Sequence, residues 1–137
     1  MEIVSKIASS PDRISNVGDE RTFHVNVRDL ESDLRKTLEG EVRFDDGSRG
    51  LYATDGSNYR QIPIGVVLPK CEQDILRTLE ACRAYGAPVL ARGGGTSLAG
   101  QCCNVAVVID VSKYLHKILS LDPEKKQARV QPGVVLA

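Results

Sequence analysis

The chain is poor in the residue types that mark nucleic-acid-binding proteins. It contains no tryptophan, aromatic residues make up only 4% of it, and its 18 basic residues are balanced by 18 acidic ones. A nucleic-acid-binding domain typically carries a basic patch, and binders of single strands add aromatic side chains on which bases stack. We therefore expect no nucleic-acid partner.

Long apolar runs and metal-ligand patterns are also missing. No apolar segment approaches the ~20 residues of a membrane-spanning helix, and the N-terminal residues form no secretory signal. The four cysteines fit no zinc-binding spacing, and the two histidines are far apart in the sequence. These features predict no membrane span and no metal site, with reduced cysteines in a cytoplasmic protein.

A glycine- and hydroxyl-rich segment, RGGGTSLAGQ at residues 92–101, lies between apolar runs at 88–91 and 105–111. Consecutive glycines permit positive φ angles or the close approach of another group, and their bare amides suit a concave anion site. The arginine adds positive charge, and Thr96 and Ser97 add hydroxyl donors. We predict a loop that binds phosphate or pyrophosphate; the alternative is a flexible, solvent-exposed turn.

Two common phosphate-binding motifs do not fit this loop. A P-loop needs a lysine followed by a hydroxyl residue after its last glycine, but Gln101 and Cys102 follow Gly100. The dinucleotide fingerprint needs a third glycine where Leu98 stands and a helix directly after the loop. A mononucleotide kinase site and a Rossmann NAD site are therefore not supported.

The segments before the loop predict a βαβ unit. Residues 62–68 form an apolar strand that ends before Pro69, residues 72–85 a helix that ends at Gly86, and residues 89–91 a second strand. Such a unit is parallel, so the glycine loop leaves the carboxyl end of a strand, where α/β sheets bind ligands. The other predicted elements are a helix at 28–39, a strand at 41–44, a turn at 45–48, an ordered loop at 49–60, a strand at 105–111 and a hairpin of 117–121 with 128–130.

Several finer expectations accompany these elements. The 72–85 helix is predicted to bury a stripe of Ile75, Leu76, Leu79 and Cys82, while Glu72 and Asp74 suit its positive end. Asp55 and Ser57 are expected to form a turn, and the alternative is that they line a ligand site. Residues 1–27 form a short strand or lack regular structure, and residues 132–137 begin a helix.

The segment from Ile64 onward resembles the FAD-binding domain of the vanillyl-alcohol oxidase / p-cresol methylhydroxylase superfamily. The resemblance rests on Val66-Val67-Leu68-Pro69, Pro88-Val89, the 92–101 loop, Val107-Val108-Ile109-Asp110 and Val130-Gln131-Pro132-Gly133. Together with Tyr52-Ala53-Thr54-Asp55-Gly56-Ser57, the loop is most similar to the branch that contains glycolate oxidase and D-lactate dehydrogenase. The resemblance extends from about Arg49 to the end of the chain.

This resemblance implies an α+β fold with a small parallel sheet and the start of an antiparallel subdomain. Residues 61–137 would be the first part of an FAD-binding domain of the p-cresol methylhydroxylase type, and residues 1–60 an N-terminal helix and a lead-in segment. We expect the chain to be a fragment that is inactive alone. Its exposed hairpin side chains, Ile118, Leu121 and Val130, together with Val134, are expected to favour self-association.

The resemblance also implies a cofactor and a reaction. FAD would bind through its pyrophosphate, and the longer enzyme would transfer hydride from a small 2-hydroxy acid of the D-lactate or glycolate type to the flavin and then to an electron acceptor. No residue of this chain is assigned as catalytic. The expected cofactor-binding residues are Pro69, Arg92, Gly93, Gly94, Gly95, Thr96, Ser97, Leu98, Gly100 and Gln101.

Two other functions remain open on the sequence alone. The same loop suits a non-catalytic phosphate- or nucleotide-binding module, and it also suits an interaction domain in which the glycines only shape a turn. Flavin absorbance in the purified full-length protein would distinguish the FAD-dependent oxidoreductase from both of these alternatives.

Overall fold

The computed structural model describes residues 24–136, and the expectation for the first part of the chain lies largely outside them. Val25 is buried without being in a strand, and Val27 already begins a helix. The elements are α1 (Val27–Thr37), β1 (Glu41–Arg43), α2 (Asp46–Leu51), β2 (Gly65–Leu68), α3 (Glu72–Ala84), β3 (Val89–Arg92), β4 (Val107–Asp110), β5 (Ile118–Asp122) and β6 (Gln127–Val130).

Four strands form one mixed sheet in the order β1-β2-β4-β3. Strands β2 and β3 both run parallel to β4, and β1 is antiparallel to β2. The predicted parallel βαβ arrangement is confirmed, with β4 inserted between the two strands that α3 connects. The wholly buried β4 takes the centre, whereas β3, which alternates between exposed and half-buried residues, forms an edge.

The sheet is covered on both faces, which explains the apolar runs in β2 and β4. On one face, Leu30 and Leu34 of α1 pack with Val67 and Val107. On the other face, Val66 and Val108 pack with Leu90 and with the rings of Tyr52 and Tyr114. Helix α1 and strand β1, from the predicted lead-in part of the chain, thus belong to the same sheet-and-helix core as β2, while the division at residue 61 remains a prediction.

The predicted buried stripe of α3 is wrong in part. Leu76 and Leu79 are 46% and 40% exposed, whereas Asp74 and Thr78 are fully buried beside Cys82. The helix is therefore rotated so that Asp74 faces the core. The sequence pattern predicted for Asp74 only an interaction with the positive end of the helix dipole.

The Asp74 carboxylate explains this rotation. One oxygen accepts a hydrogen bond from the Glu39 amide at 3.0 Å and the other from the Lys70 amide at 2.9 Å. These amides belong to the loops that follow α1 and β2, so the carboxylate joins two connections that are distant in sequence. Satisfying two such amides with a charged acceptor favours burial of Asp74 over that of the neighbouring leucines.

The turn predicted at residues 45–48 is instead the start of α2. The Asp45 side chain accepts a hydrogen bond from the Ser48 amide at 2.8 Å, which is an N-cap. An aspartate two residues before glycine suits both a turn and a helix start. The short helix forms here because Arg49 holds it against the neighbouring loop. The Arg49 Nε donates to the carbonyl of Pro63 at 2.8 Å.

The predicted hairpin is confirmed as β5 and β6, which pair antiparallel. Its apolar side chains are open, as expected: Ile118 is 60% exposed and Leu121 67%. After it, the Val134 amide donates to the Gln131 carbonyl in a single turn, so the predicted helix start at 132–137 is not found among the described residues. None of the helices in residues 24–136 has the length and apolarity needed to cross a membrane.

Candidate functional site

The glycine loop, residues 92–101, begins at the end of β3. It lies at the carboxyl-terminal edge of the sheet, where the parallel strands β2 and β4 also end. Pro69 follows β2 at this edge and is fully buried, and Ser112 follows β4. The loop is not followed by a helix, which agrees with the exclusion of a dinucleotide fingerprint. This edge is where ligands bind in open parallel sheets.

The glycines of the loop serve different purposes. Gly95 and Gly100 have φ angles of 66° and 79°, which other residues rarely adopt. A Cβ atom at Gly95 would lie 2.5 Å from Nη2 of Arg92, and one at Gly100 would lie 2.8 Å from the ring of Tyr59. These two glycines are required by the fold of the loop itself.

Gly93 and Gly94 are required by neither conformation nor packing. Neither has a positive φ angle. Among the described residues, a Cβ atom at Gly93 would meet nothing within 4 Å, and one at Gly94 would meet only Cγ2 of Thr96, at 3.6 Å. Within residues 24–136, no hydrogen bond is donated by the backbone amides of residues 93–98. The bare backbone here is open to a ligand, and the donor amides suit an anion such as pyrophosphate.

Arg92 is both the last residue of β3 and the first residue of the loop, and its side chain packs under the loop against Gly95. Its Nη1 donates to the carbonyls of Cys102, at 3.1 Å, and Tyr52, at 3.4 Å. Its guanidinium carbon is 5.1 Å from the centre of the Tyr52 ring, a cation–π contact. The other side of the guanidinium packs against Gly95, so Arg92 supports the fold of the loop. Its charge adds positive potential near the backbone amides of the loop.

Ser97 and Gln101 stabilise the loop through hydrogen bonds between its own residues. The Ser97 hydroxyl accepts from the amides of Gln101, at 3.3 Å, and Ala99, at 3.5 Å, and it donates to the side-chain oxygen of Gln101. Thr96 is exposed, and the Leu98 side chain is 82% exposed. The loop therefore carries an exposed hydroxyl residue and an exposed apolar side chain at its tip.

A second segment, Tyr52–Tyr59, packs against the glycine loop, a contact that no sequence pattern predicted. The predicted turn is present, since Oδ1 of Asp55 accepts from the Ser57 amide at 2.9 Å. In addition, the Gly56 amide donates to the Gly95 carbonyl at 2.9 Å, and Oδ2 of Asp55 accepts from the Cys102 amide at 3.2 Å. The turn is thus joined to both the middle and the end of the loop.

Tyr52 links the same segment to the buried end of β4. Its hydroxyl donates to Oδ2 of Asp110 at 2.6 Å, and Oδ1 of Asp110 accepts from the Ser112 amide at 2.8 Å. Burial and this hydrogen bond raise the pKa of Tyr52 to about 12, so the phenol stays protonated and acts as a donor. Asp110 lies opposite Arg92 in the sheet register, so Tyr52 bridges two strand ends.

Three charged side chains at the far side of this edge, Glu41, Arg43 and Lys113, are paired with one another. The Glu41 carboxylate accepts hydrogen bonds from Lys113, Tyr114 and Arg43, and these bonds lower the pKa of Glu41 to about 2. This cluster stabilises the junction of β1, β2 and β4 rather than presenting free cations.

Two adjacent cysteines follow the loop, the half-buried Cys102 and the buried Cys103. Cys103 is buried, and this burial raises the pKa of its thiol. Both are free thiols. No group of side chains in residues 24–136 has the composition of a metal site.

Comparison with known proteins identifies the family to which this fold and loop belong. Residues 63–137, more than half of the chain, match the family described as FAD binding domain. Glycolate oxidase subunit GlcD of Bacillus subtilis is 33% identical over 102 residues, which cover 72% of this chain and 22% of that protein. D-2-hydroxyglutarate dehydrogenase of Haemophilus influenzae is 34% identical over 113 residues, 80% of this chain and 11% of that protein.

The described fold also agrees with a solved flavoenzyme. The structure of p-cresol methylhydroxylase with substrate bound superposes with a TM-score of 0.62 at 18% identity, covering 78% of this chain and 22% of that one. The chain spans about a fifth and about a tenth of the two relatives named above. The resemblance seen in the sequence is confirmed, and the chain belongs to the FAD binding domain family.

Proposed function

We propose that the glycine loop binds the pyrophosphate of FAD and that the chain is the cofactor-holding part of a flavin-dependent oxidoreductase. The observation that carries this proposal is the bare backbone at Gly93 and Gly94, where glycine is required by no contact within residues 24–136. A phosphate group approaching the amides of this stretch would need the space that Cβ atoms would occupy. Membership of the family supports FAD as the ligand.

The proposed cofactor-binding residues divide into two groups. Gly93, Gly94 and Thr96 would contact phosphate oxygens directly, and Leu98 at the loop tip would pack against the cofactor. The remaining residues would shape the loop or line its edge: Pro69, Arg92, Gly95, Ser97, Gly100 and Gln101. The charge of Arg92 would add positive potential at the pyrophosphate, and its Nη1 supports the site by donating to the carbonyls of Tyr52 and Cys102.

The proposed reaction class is oxidation of a small 2-hydroxy acid of the D-lactate or glycolate type. Bound FAD supplies a flavin ring that accepts hydride from the substrate carbon. This chain would bind and orient that ring, and none of its residues is assigned to substrate or to proton transfer. The relatives are named for glycolate and D-2-hydroxyglutarate, which supports this substrate class for the longer protein. The acceptor that reoxidises the flavin would bind elsewhere.

Two properties of the chain accompany this proposal. The four cysteines are free, and two of them are buried as small apolar side chains, which favours a reducing compartment such as the cytoplasm. The open apolar side chains of β5 and β6 favour self-association of the chain at high concentration.

Calorimetric titration of the 137-residue chain with FAD, ADP and FMN tests the proposal. We expect FAD to bind with a Kd of roughly 10–500 µM, because a few charged hydrogen bonds worth about 1.5–3 kcal/mol each are offset by the cost of association. FMN has a single phosphate and should bind at least ~10-fold more weakly.

Other results would contradict the proposal. Equal affinity for FAD and FMN would show that the pyrophosphate is not recognised. Equal affinity for FAD and ADP would indicate a nucleotide-binding module with no use for the flavin. No binding of any of the three would favour an interaction domain in which the glycines only shape a turn.

A further inference from the structure

The Tyr52–Tyr59 segment precedes the region that matches the FAD binding domain family, yet it contacts the glycine loop at both its middle and its end. We propose that Asp55 is a positioning residue that holds the glycine loop in the form that accepts the pyrophosphate. The proposal rests on the function proposed above, and it assigns part of the cofactor site to residues outside the matched region.

The two carboxylate oxygens of Asp55 have separate partners. Oδ1 accepts from the amide and hydroxyl of Ser57, which closes the turn. Oδ2 accepts from the amide of Cys102, the residue that follows the loop, at 3.2 Å. The hydrogen bonds from Ser57 keep the pKa of Asp55 below its usual range, so both oxygens are acceptors at neutral pH. One side chain therefore ties the turn to the end of the loop.

The turn that Asp55 closes also holds the middle of the loop. The Gly56 amide donates to the Gly95 carbonyl at 2.9 Å, which turns that carbonyl toward the protein. A Cβ atom at Gly56 would lie 3.0 Å from the Ser97 carbonyl oxygen, so the two backbones are in close approach. With Gly95 held in its positive φ conformation, the neighbouring amides are fixed before the ligand arrives.

Fixing the loop in advance favours binding because a glycine-rich segment loses much conformational freedom when it is ordered. If the loop were free to move, ligand binding would bear this cost and the affinity would fall. The contacts made by Asp55 lie away from the open backbone of Gly93 and Gly94, so the side chain acts through the loop and not on the ligand.

Asp55→Asn is designed to break the hydrogen bond with Cys102 while it retains the one with Ser57. The remaining carbonyl oxygen of the asparagine can still accept from Ser57, but its NH2 group faces the Cys102 amide, and two donors repel each other. We expect FAD affinity to fall about 10-fold, as for loss of one hydrogen bond to a charged group. Amide hydrogen exchange at Cys102 and Gly56, measured without FAD, should accelerate by about 10-fold or more, while the buried amides of β4 stay protected.

Asp45→Asn is the matched control, because Asp45 makes the same type of turn contact at the start of α2 and asparagine caps helices equally well. This control should retain wild-type affinity and exchange. Wild-type FAD affinity in Asp55→Asn, or unchanged exchange at Cys102, would overturn the role of Asp55. Absence of FAD binding by the wild-type chain would instead overturn the proposed function, and the exchange data would still decide whether Asp55 holds the loop.

Discussion

Gly93→Val is expected to eliminate measurable FAD binding by the chain while leaving its thermal stability unchanged. The new Cβ atom meets no atom of residues 24–136 within 4 Å and requires no unusual φ angle, so the folded chain can accept the substitution. The same side chain would fill the space through which the pyrophosphate reaches the amides. We expect the Kd for FAD to rise at least ~30-fold, which corresponds to about 2 kcal/mol.

Gly95→Val should differ because that glycine is part of the fold of the loop. A valine there must adopt a left-handed backbone, which costs about 1–2 kcal/mol, and its Cβ would collide with the Arg92 guanidinium. We therefore expect Gly95→Val to lose both FAD affinity and stability. The expectation of positive φ for this glycine run is confirmed at Gly95, whereas the close approach of a ligand to Gly93 and Gly94 stays a prediction.

Gly50→Val serves as the control for Gly93→Val. In the part of the chain that the structure describes, a Cβ atom at Gly50 would also meet nothing within 4 Å, and this residue lies in α2, outside the glycine loop. The control variant should bind FAD like the wild type. If Gly93→Val also binds FAD like the wild type in calorimetry, the bare backbone of the loop is not the pyrophosphate site.

Asp74→Ala is expected to lower the free energy of unfolding by about 3–5 kcal/mol. The substitution leaves the amides of Glu39 and Lys70 without their charged acceptor in a part-buried site, and each such hydrogen bond is worth about 1.5–3 kcal/mol. The melting temperature should fall by roughly 10 °C, measured by circular dichroism or calorimetry.

Glu72→Ala separates the contribution of the Asp74 hydrogen bonds from the contribution of the helix dipole. Glu72 and Asp74 both lie in the first turn of α3, so the dipole contributes to both at about 0.3–1 kcal/mol. Glu72 is exposed, and its removal should cost no more than that amount. Equal destabilisation by the two substitutions would show that the dipole, and not the bonds to the two loops, explains the burial of Asp74.

Local patterns predicted most of the secondary structure because the responsible interactions are local. The apolar runs of β2 and β4, the stop at Gly86 and the hairpin of β5 and β6 depend on neighbouring residues, and the structure confirms them. The rotation of α3 was missed because it is set by amides that are far from Asp74 in the sequence. The central place of β4 was likewise not predicted, since strand order depends on which strand is buried on both faces.

The site shows the same division between local and distant information. The glycine run identified the loop, because few other uses require bare backbone at consecutive positions. The contact of Asp55 with Cys102 joins residues that are 47 positions apart, and no local pattern indicates it. The contacts of Arg92 with the carbonyls of Tyr52 and Cys102 were also not predicted, because an arginine beside a glycine run suits direct phosphate binding as well as support of the loop.

Backbone amide NMR during titration of the 15N-labelled chain with FAD tests the central claim most directly, because it locates even weak binding. We expect the largest shifts at the amides of residues 93–97, the same shifts with inorganic pyrophosphate, and little change in β5 and β6. Shifts concentrated in the hairpin or on α3, with the amides of residues 93–97 unmoved at saturating FAD, would contradict the proposal that the glycine loop holds the pyrophosphate.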